Sequence, residues 1–216
     1  MRVRVIELVI FDNDGVVVDS ELLANRVLAD LLSELGYPAT VEECISDFMG
    51  GTLDGVRAIV RERSGLDLGS DFEQTYHQRL FDRFERDLRP VPGIELVLQM
   101  LGLPYCLASS GTRQRIERSL ELTGLRHYFG DRIFSAEDVP HGKPAPDIFI
   151  HAAAALGVVA SRCVVVEDSP NGVAAGCAAG MIVVGFTALT PVTRLADAHA
   201  TFSDMAELLP LLGVVG

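Results

Sequence analysis

Residues 8–21 read LVIFDNDGVVVDSE, an apolar run that stops abruptly at an Asp-Asn-Asp triplet, residues 12–14. The wider stretch Val3–Phe11 is rich in Val and Ile, which predicts a buried β-strand. From Ser20 to Leu35 apolar residues recur at helical spacing, which predicts a helix with Ser20 as its N-cap. Strands that alternate with helices are typical of an α/β protein, and this stretch supplies the first strand and the first helix.

The pattern of predicted elements changes once along the chain. Between about residue 20 and residue 87 the apolar spacing predicts helices only, at 20–35, 41–48, 53–63 and 71–87. Beyond residue 92 short apolar strands alternate with helices, and the predicted strands are 105–108, 132–134, 163–166 and 181–186. Strands and helices that alternate in this way predict a doubly wound parallel sheet.

The fold class predicted from these patterns is α/β: a doubly wound parallel-sheet, Rossmann-like core with a small helical cap inserted after the first strand. We expect residues 1–17 and 89–216 to form the core and residues 18–88 to form the cap. The first strand must then rejoin the sheet after the inserted helices.

The composition limits the classes of partner. Of the 216 residues 49% are hydrophobic, as in folded globular proteins, and the formal net charge is −12. This balance lacks the basic footprint of a nucleic-acid binder or of a protein held on an anionic membrane. The apolar start is too short to cross a bilayer and lacks a signal-peptide cleavage site, which predicts a cytoplasmic location. The four cysteines form no CxxC pair, and we expect Cys106 and Cys163 to lie in the core.

Polar residues follow three of the predicted strands. The first strand ends in residues 12–14, the second in Ser109-Ser110-Gly111, and a third in Glu167-Asp168-Ser169. A further polar element, Gly142-Lys143-Pro144, lies in a loop before a helix. Because ligands of open parallel sheets bind at the carboxyl ends of the strands, we expect these segments to converge on one pocket.

The chemistry of such a pocket follows from its charges. Four carboxylates, on residues 12, 14, 167 and 168, would repel one another unless a cation were bound or their pKa values were raised. Oxygen ligands alone select a hard ion such as Mg²⁺, and a lysine with turn amides can hold a phosphoryl group. One Asp could then act as nucleophile, and a second Asp could act as general acid and base.

Each element also has an ordinary structural explanation. An Asp after a strand is often a turn residue or an N-cap, and Ser169 could simply cap a helix. Ser109-Ser110-Gly111 could be an ordinary loop, and Lys143 an ordinary surface lysine. The occurrence of all of them in this order at strand ends favours the catalytic interpretation.

Four segments in this order resemble the motifs of the haloacid dehalogenase (HAD) superfamily. They are residues 11–21 (FDNDGVVVDSE), 107–110 (LASS), 142–149 (GKPAPDIF) and 164–172 (VVVEDSPNG). The resemblance covers almost the whole chain, including the helical insertion, and is greatest to the β-phosphoglucomutase-like phosphatase branch. Asn13 departs from the pattern, since many relatives have an apolar residue or Cys there. Val16 replaces a frequent Thr.

The resemblance implies a role for each matching residue. Asp12 matches the nucleophile, Asp14 the general acid and base, Ser109 the phosphate-binding hydroxyl and Lys143 the lysine that offsets phosphoryl charge. The implied Mg²⁺ ligands are Asp12, Asp14 through its carbonyl, and Asp168, with Glu167 as a further ligand or a residue behind the ligands. Further predicted phosphate or substrate contacts are Asn13, Gly51, Arg57, Ser110 and Gly111. Closure of the cap over the bound substrate is expected to exclude water.

The expected function is therefore Mg²⁺-dependent hydrolysis of a small phosphorylated metabolite by a monomer or weak homodimer, with no nucleic-acid or membrane partner. Two alternatives are a phosphomutase and a catalytically silent phosphate-binding protein. Sugar-phosphate mutases of this branch carry a His and an Arg in the cap where this chain has Ala24 and Leu53. The mutase alternative is less favoured on this ground, although Arg57 could partly replace the missing Arg.

Overall fold

A computed structural model describes residues 5–48 and 52–213. The start of the predicted first strand at Val3 and the predicted substrate contact Gly51 lie outside the described residues. The chain divides into two compact units, one of residues 1–18 with 89–216 and the other of residues 19–88. We call the first the α/β unit and the second the helical unit.

The described residues form a six-stranded sheet and a series of helices. The elements are β1 (Leu8–Phe11), α1 (Ser20–Glu34), α2 (Val41–Phe48), α3 (Leu53–Ser64), α4 (Phe72–Asp87), α5 (Ile94–Met100), β2 (Tyr105–Ser109), α6 (Arg113–Leu122), α7 (Arg126–Phe129), β3 (Ile133–Ser135), α8 (Asp147–Ala155), β4 (Cys163–Glu167), α9 (Pro170–Ala178), β5 (Ile182–Phe186), β6 (Ala200–Phe202) and α10 (Leu208–Leu211). Short 3₁₀ turns precede α8, β4, β6 and α10.

The α/β unit is built on one parallel sheet with the strand order β3-β2-β1-β4-β5-β6. Phe11 at the end of β1 pairs with Leu107 of β2 on one side and Val166 of β4 on the other. This register places the carboxyl ends of the three central strands side by side. The predicted fold class, a doubly wound parallel sheet with surrounding helices, is confirmed.

Burial explains why the central strands are almost continuously apolar. Every residue of β1 and β4 is buried, because both faces of a parallel sheet are covered by its crossover helices. Phe149 of α8 packs in the core cluster that includes Leu8, Ile10 and Val165. Cys106 and Cys163 are buried free thiols, as predicted.

The helical unit has its own apolar core. Leu32 of α1, Cys44 of α2, Val60 of α3 and Phe72 of α4 are all buried in one cluster. The Thr52 side chain caps α3 by accepting a hydrogen bond from the backbone N–H of Gly55. Among the described residues, no helix is long and apolar enough to cross a membrane.

The structure differs from the sequence-based expectation at a few elements. Ser20 was expected as the N-cap of α1, but the N-cap is Asp19, and Ser20 is a buried first residue of the helix. The expected helix over 205–212 is a 3₁₀ turn followed by the four-residue α10. The short α7 and β6 were not expected, because each has only one buried residue and so carries no apolar run.

Candidate active site at the strand ends

The Lys143 ammonium joins the ends of the three central strands. Its Nζ donates to Asp12 Oδ1 at 2.6 Å, to Glu167 Oε1 at 2.8 Å and to the carbonyl oxygen of Ala108 at 3.0 Å. Asp12 directly follows β1, Ala108 lies in β2, and Glu167 ends β4. The convergence of these three segments with the Lys143 loop is therefore observed in the structure.

The Lys143 side chain is almost completely shielded from water. It is 4% exposed, although it lies in the loop that leads to α8, and its Nζ lies 4.7 Å from the centre of the Phe149 ring. Lys143 is the only lysine in the sequence, and the other cationic side chains are arginines or histidines. A lysine with this burial needs anionic partners, and two carboxylates supply them.

Burial and crowding change the ionisation of this cluster. Burial raises the pKa of Asp12, the nearby Glu167 and Asp14 raise it further, Lys143 opposes them, and the resulting value is about 8. Burial alone would lower the pKa of Lys143, but Asp12 and Glu167 together hold it well above the ordinary value. One ammonium does not fully compensate these carboxylates, so the cluster retains excess negative charge.

The excess negative charge fits a hard divalent cation. Carboxylate oxygens of Asp12, Glu167 and Asp168 lie within 4.8 Å of one another, and all three residues are buried. Buried carboxylates with no thiolate or imidazole among them are the donor set that Mg²⁺ prefers. The chemistry of this triad therefore suits the magnesium ion that the sequence predicts.

Glu167 is held by partners on both of its oxygens. Its Oε1 accepts from Lys143, and its Oε2 accepts from the backbone N–H of Ser169 at 2.8 Å and from the Ser169 hydroxyl at 2.9 Å. The Ser169 hydroxyl oxygen also accepts from Gly172 N and caps α9. A Cβ on Gly172 would lie 1.7 Å from Glu167 Oε1, so only glycine leaves room for this carboxylate.

The loop after β2 leads directly into a capped helix. The Ser109 hydroxyl oxygen accepts from the backbone N–H of Gly111 at 3.0 Å, and the Gly111 carbonyl oxygen accepts from the Ser135 hydroxyl at 2.7 Å. Ser109 is buried, whereas Ser110 is exposed. The Thr112 side chain caps α6 by accepting from the backbone N–H of Arg115, and α6 therefore begins close to the carboxyl end of β2.

The other two residues of the 12–14 triplet contact α6. Asn13 is fully buried and donates through Nδ2 to the Ser119 hydroxyl at 3.2 Å. Asp14 Oδ1 accepts from Arg115 Nη2 at 2.9 Å. Arg115 and Ser119 are not predicted as site residues from the sequence. Nothing in the sequence pattern distinguishes Arg115 from Arg113 and Arg118 on the same helix.

The predicted site residue Arg57 lies in the helical unit. Its Nη1 donates to the carbonyl oxygen of Gly69 at 2.6 Å, and its guanidinium carbon lies 5.1 Å from the centre of the Phe72 ring. Both partners belong to the same unit. In the α/β unit, by contrast, the structure brings together Asp12, Lys143, Glu167, Asp168 and the end of β2 that carries Ser109.

Comparison with known proteins places the chain in a family. Residues 6–180 match the haloacid dehalogenase-like hydrolase family. The chain is 33% identical over 184 residues to the 6-phosphogluconate phosphatase of Escherichia coli (strain K12), and the match covers 85% of this chain and 83% of that enzyme.

Solved structures of the same family superpose closely on this chain. A haloacid dehalogenase-like protein of unknown function from Agrobacterium tumefaciens has a TM-score of 0.92 and 38% identity, over 96% of this chain and 98% of that one. A β-phosphoglucomutase-like structure from Thermotoga maritima has a TM-score of 0.77 and 28% identity, over 98% and 100% of the two chains. The chain belongs to the haloacid dehalogenase-like hydrolase family and is a phosphoric monoester hydrolase.

Proposed function

We propose that this phosphatase hydrolyses a small phosphorylated metabolite, such as a sugar phosphate, with Mg²⁺ and through an aspartyl-phosphate on Asp12. The observation that carries the proposal is the Lys143 ammonium bonded to both Asp12 and Glu167 beside the end of the strand that carries Ser109. This arrangement sets a carboxylate nucleophile next to a buried cation that can offset phosphoryl charge.

In the first step an Asp12 carboxylate oxygen attacks the phosphorus of the substrate, and the bond from phosphorus to the ester oxygen breaks. Asp14 gives a proton to the departing ester oxygen, which leaves as an alcohol. Ser109 and the backbone N–H groups after β2 hold the phosphoryl oxygens, and Lys143 offsets their charge. We assign Ser110 and Gly111 to the same phosphate-binding loop.

In the second step water attacks the phosphorus of the aspartyl-phosphate. Asp14, now a carboxylate, takes a proton from that water, and the bond from phosphorus to Asp12 breaks. Inorganic phosphate leaves, Asp12 is a free carboxylate again, and Asp14 holds the proton needed for the next turnover. The two steps together convert the phosphate ester and water into the alcohol and inorganic phosphate, and no further reactant is needed.

We assign the Mg²⁺ site to Asp12, Asp168 and the backbone carbonyl of Asp14, with Glu167 as a further ligand or a partner behind them. When bound, the cation would offset charge on the phosphoryl oxygens. Carboxylates of Asp12, Glu167 and Asp168 that lie close together and are buried support this assignment.

The substrate class and the remaining predictions follow from the relatives and the sequence. The name of the Escherichia coli relative identifies 6-phosphogluconate as its substrate, so acidic and neutral sugar phosphates are the first compounds to test. We assign substrate selection to the proposed cap, residues 18–88, with Gly51 and Arg57 as contacts and Asn13 as a neighbour of the phosphate loop. A cytoplasmic location and a monomeric or weakly dimeric state remain predictions.

The test is a screen of phosphorylated metabolites that reads phosphate release with Mg²⁺ and with excess EDTA. We expect release from at least one sugar phosphate, and its loss in EDTA. Asp12→Asn should lower kcat by more than about 1000-fold with the fold intact, because an amide is not a useful nucleophile. Asp131→Asn, at an exposed carboxylate in the same unit, is the matched control and should retain wild-type kcat. An Asp12→Asn variant with more than about a tenth of wild-type kcat would show that another group is the nucleophile.

The same screen separates hydrolysis from the mutase alternative. The protein is incubated with β-glucose 1-phosphate and a trace of the corresponding bisphosphate, and both glucose 6-phosphate and free phosphate are followed. Ala24 and Leu53 occupy the positions where mutases of this branch carry His and Arg, so we expect little isomerisation. Isomerisation faster than phosphate release would overturn the assignment of hydrolysis.

A further inference from the structure

Helix α6 contacts the 12–14 triplet at two points on one helical face. Arg115 pairs with Asp14 at 2.9 Å, and Ser119, one turn further along, accepts from Asn13 at 3.2 Å. The Ser119 hydroxyl in turn donates to the carbonyl oxygen of Ile116 at 2.8 Å. The face of α6 that carries Arg115 and Ser119 therefore holds the segment that directly follows the nucleophile.

The Arg115 side chain also lies beside the phosphate-binding loop. A Cβ on Gly111 would lie 3.4 Å from the Ser109 hydroxyl oxygen and 3.9 Å from Arg115 Cδ. The aliphatic stem of Arg115 thus passes the loop after β2, and its guanidinium reaches Asp14, which lies in the turn after the neighbouring strand β1. The ion pair connects the two segments that hold the phosphoryl group and deliver the proton.

We propose that Arg115 is a positioning residue that fixes the Asp14 carboxylate in the orientation needed for proton transfer to the leaving oxygen. The inference rests on the proposed function, in which Asp14 is the general acid and base. Proton transfer requires a distance of about 2.6–3.2 Å between heavy atoms, and an error of about 1 Å can cost about 100-fold in rate. A planar guanidinium fixes a carboxylate in direction as well as distance.

The exposure of the pair argues that this role is not mainly structural. The Arg115 side chain is 46% exposed and that of Asp14 is 19% exposed. Ion pairs with this much access to solvent contribute little to the stability of a fold. Loss of Arg115 should therefore act on catalysis far more than on unfolding.

The alternative is that Arg115 binds an anionic part of the substrate directly. Such a contact would depend on the substrate and not on Asp14. A positioning role requires instead that the effect of removing Arg115 disappear once Asp14 can no longer transfer a proton. The two roles are therefore separable by combining variants at the two positions.

The experiment compares Arg115→Ala and Arg115→Lys with Arg118→Ala. Arg118 lies on the same helix, has the same 46% side-chain exposure and pairs with Glu121 at 3.5 Å, so it is a matched control. The substrates are p-nitrophenyl phosphate, whose leaving group needs little protonation, and phenyl phosphate, whose leaving group needs it more. The readout is kcat/KM, which reports the steps up to cleavage of the ester bond. Circular dichroism and thermal unfolding check that each variant folds.

We expect Arg115→Ala to lower kcat/KM about 10–100-fold on phenyl phosphate but less than about threefold on p-nitrophenyl phosphate. Arg115→Lys should recover part of the loss, because an ammonium pairs with a carboxylate without fixing its plane. Arg118→Ala should match the wild type on both substrates. If Arg115→Ala fails to fold, Arg115→Lys and Arg115→Gln carry the same comparison.

Asp14→Asn and the double variant with Arg115→Ala complete the test. We expect Asp14→Asn to show the larger loss on phenyl phosphate, and Arg115→Ala to add no more than about twofold to it. A full additional loss in the double variant, or equal behaviour of Arg115→Ala and Arg118→Ala, would overturn the positioning role alone. Wild-type activity of Asp14→Asn would instead overturn the proposed proton carrier, so the two failures are distinguishable.

Discussion

The two units of the chain use charge in different ways. In the α/β unit the Lys143 side chain is 4% exposed and binds two carboxylates that are themselves buried. In the helical unit Arg79 of α4 pairs with Glu34 of α1 through its two terminal nitrogens, Nη1 and Nη2, at 39% and 57% side-chain exposure. Both pairs have good geometry, so burial is the variable that separates them.

The two ion pairs differ in what the fold loses when the cation is removed. Water screens the Arg79–Glu34 pair, and its loss leaves two solvated charges. Loss of Lys143 would leave uncompensated carboxylates out of water, which the fold cannot relieve by solvation. A buried cluster of charges is costly to maintain, and such clusters occur mainly at functional sites.

The largest effect is expected for Lys143→Met, which keeps the length of the side chain and removes its charge. It leaves Asp12 and Glu167 without their shared cation, so we expect a loss of about 3–5 kcal/mol in the free energy of unfolding. Phosphate release should fall at least about 100-fold, since the phosphoryl charge is no longer offset. Urea unfolding and the phosphate assay measure the two losses. A Lys143→Met variant as stable as the wild type would show that burial does not make the Lys143 ion pairs more important for stability than the exposed Arg79–Glu34 pair.

A smaller effect is expected at two glycines, one in a helix of each unit. Gly172→Ala places a Cβ 1.7 Å from Glu167 Oε1 and must displace that carboxylate from Lys143. We expect a loss of about 1–3 kcal/mol in stability and a measurable loss of kcat. Gly55→Ala in α3 meets no atom nearer than 3.4 Å and should gain up to about 1 kcal/mol. Thermal unfolding of both variants measures this, and a stable, fully active Gly172→Ala variant would contradict the close approach to Glu167.

Stability should also depend on pH through Asp12. Its pKa is raised from the ordinary value of 3.8 to about 8 by burial and neighbouring carboxylates. Between these two values the folded chain keeps a proton on Asp12 that the unfolded chain has lost. The stability from this proton is present at acid pH and is lost as the pH rises through about 8. In EDTA, the unfolding free energy of wild type relative to Asp12→Asn should fall by about 1–3 kcal/mol between about pH 5 and about pH 8. Urea titrations at each pH measure it, and a difference that rises with pH would contradict the sign.

The smallest effect is expected for Arg79→Ala in the helical unit. Because this pair is exposed, we expect a loss of less than about 1 kcal/mol, reduced further by salt. Urea unfolding at low and high ionic strength measures it. Activity should not change. A loss of unfolding free energy as large as that of Lys143→Met would show that the exposed and the buried ion pairs contribute equally to stability.

Much of the fold could be predicted because its signals are local. The apolar runs of β1 and β4 and the helical spacing of α1 identified these elements to within a few residues. The short β6 carries no such run, since only Phe202 of its three residues is buried. Its place at the sheet edge depends on pairing with β5, which no local pattern reveals.

The candidate site divides in the same way. Residues that follow strands, such as Asp12 and Glu167, could be anticipated because a parallel sheet brings its strand ends together. The pairing of Asp14 with Arg115 could not, because it depends on the phase of α6 relative to β1. The hydrogen bonds from Ser169 to Glu167 likewise could not be predicted. They depend on the backbone turn between the two residues, which the sequence pattern does not reveal.

The single lysine of the sequence has a practical consequence for experiments on the whole molecule. Apart from the terminal α-amino group, Lys143 Nζ is the one primary amine that the chain offers. Isotope labelling of lysine therefore gives an NMR spectrum in which the side-chain ammonium signal reports on the proposed catalytic cluster alone. In the same way, amine-directed dyes and cross-linkers would find the folded surface almost unreactive, and their uptake at Lys143 would measure how often the strand ends open to solvent.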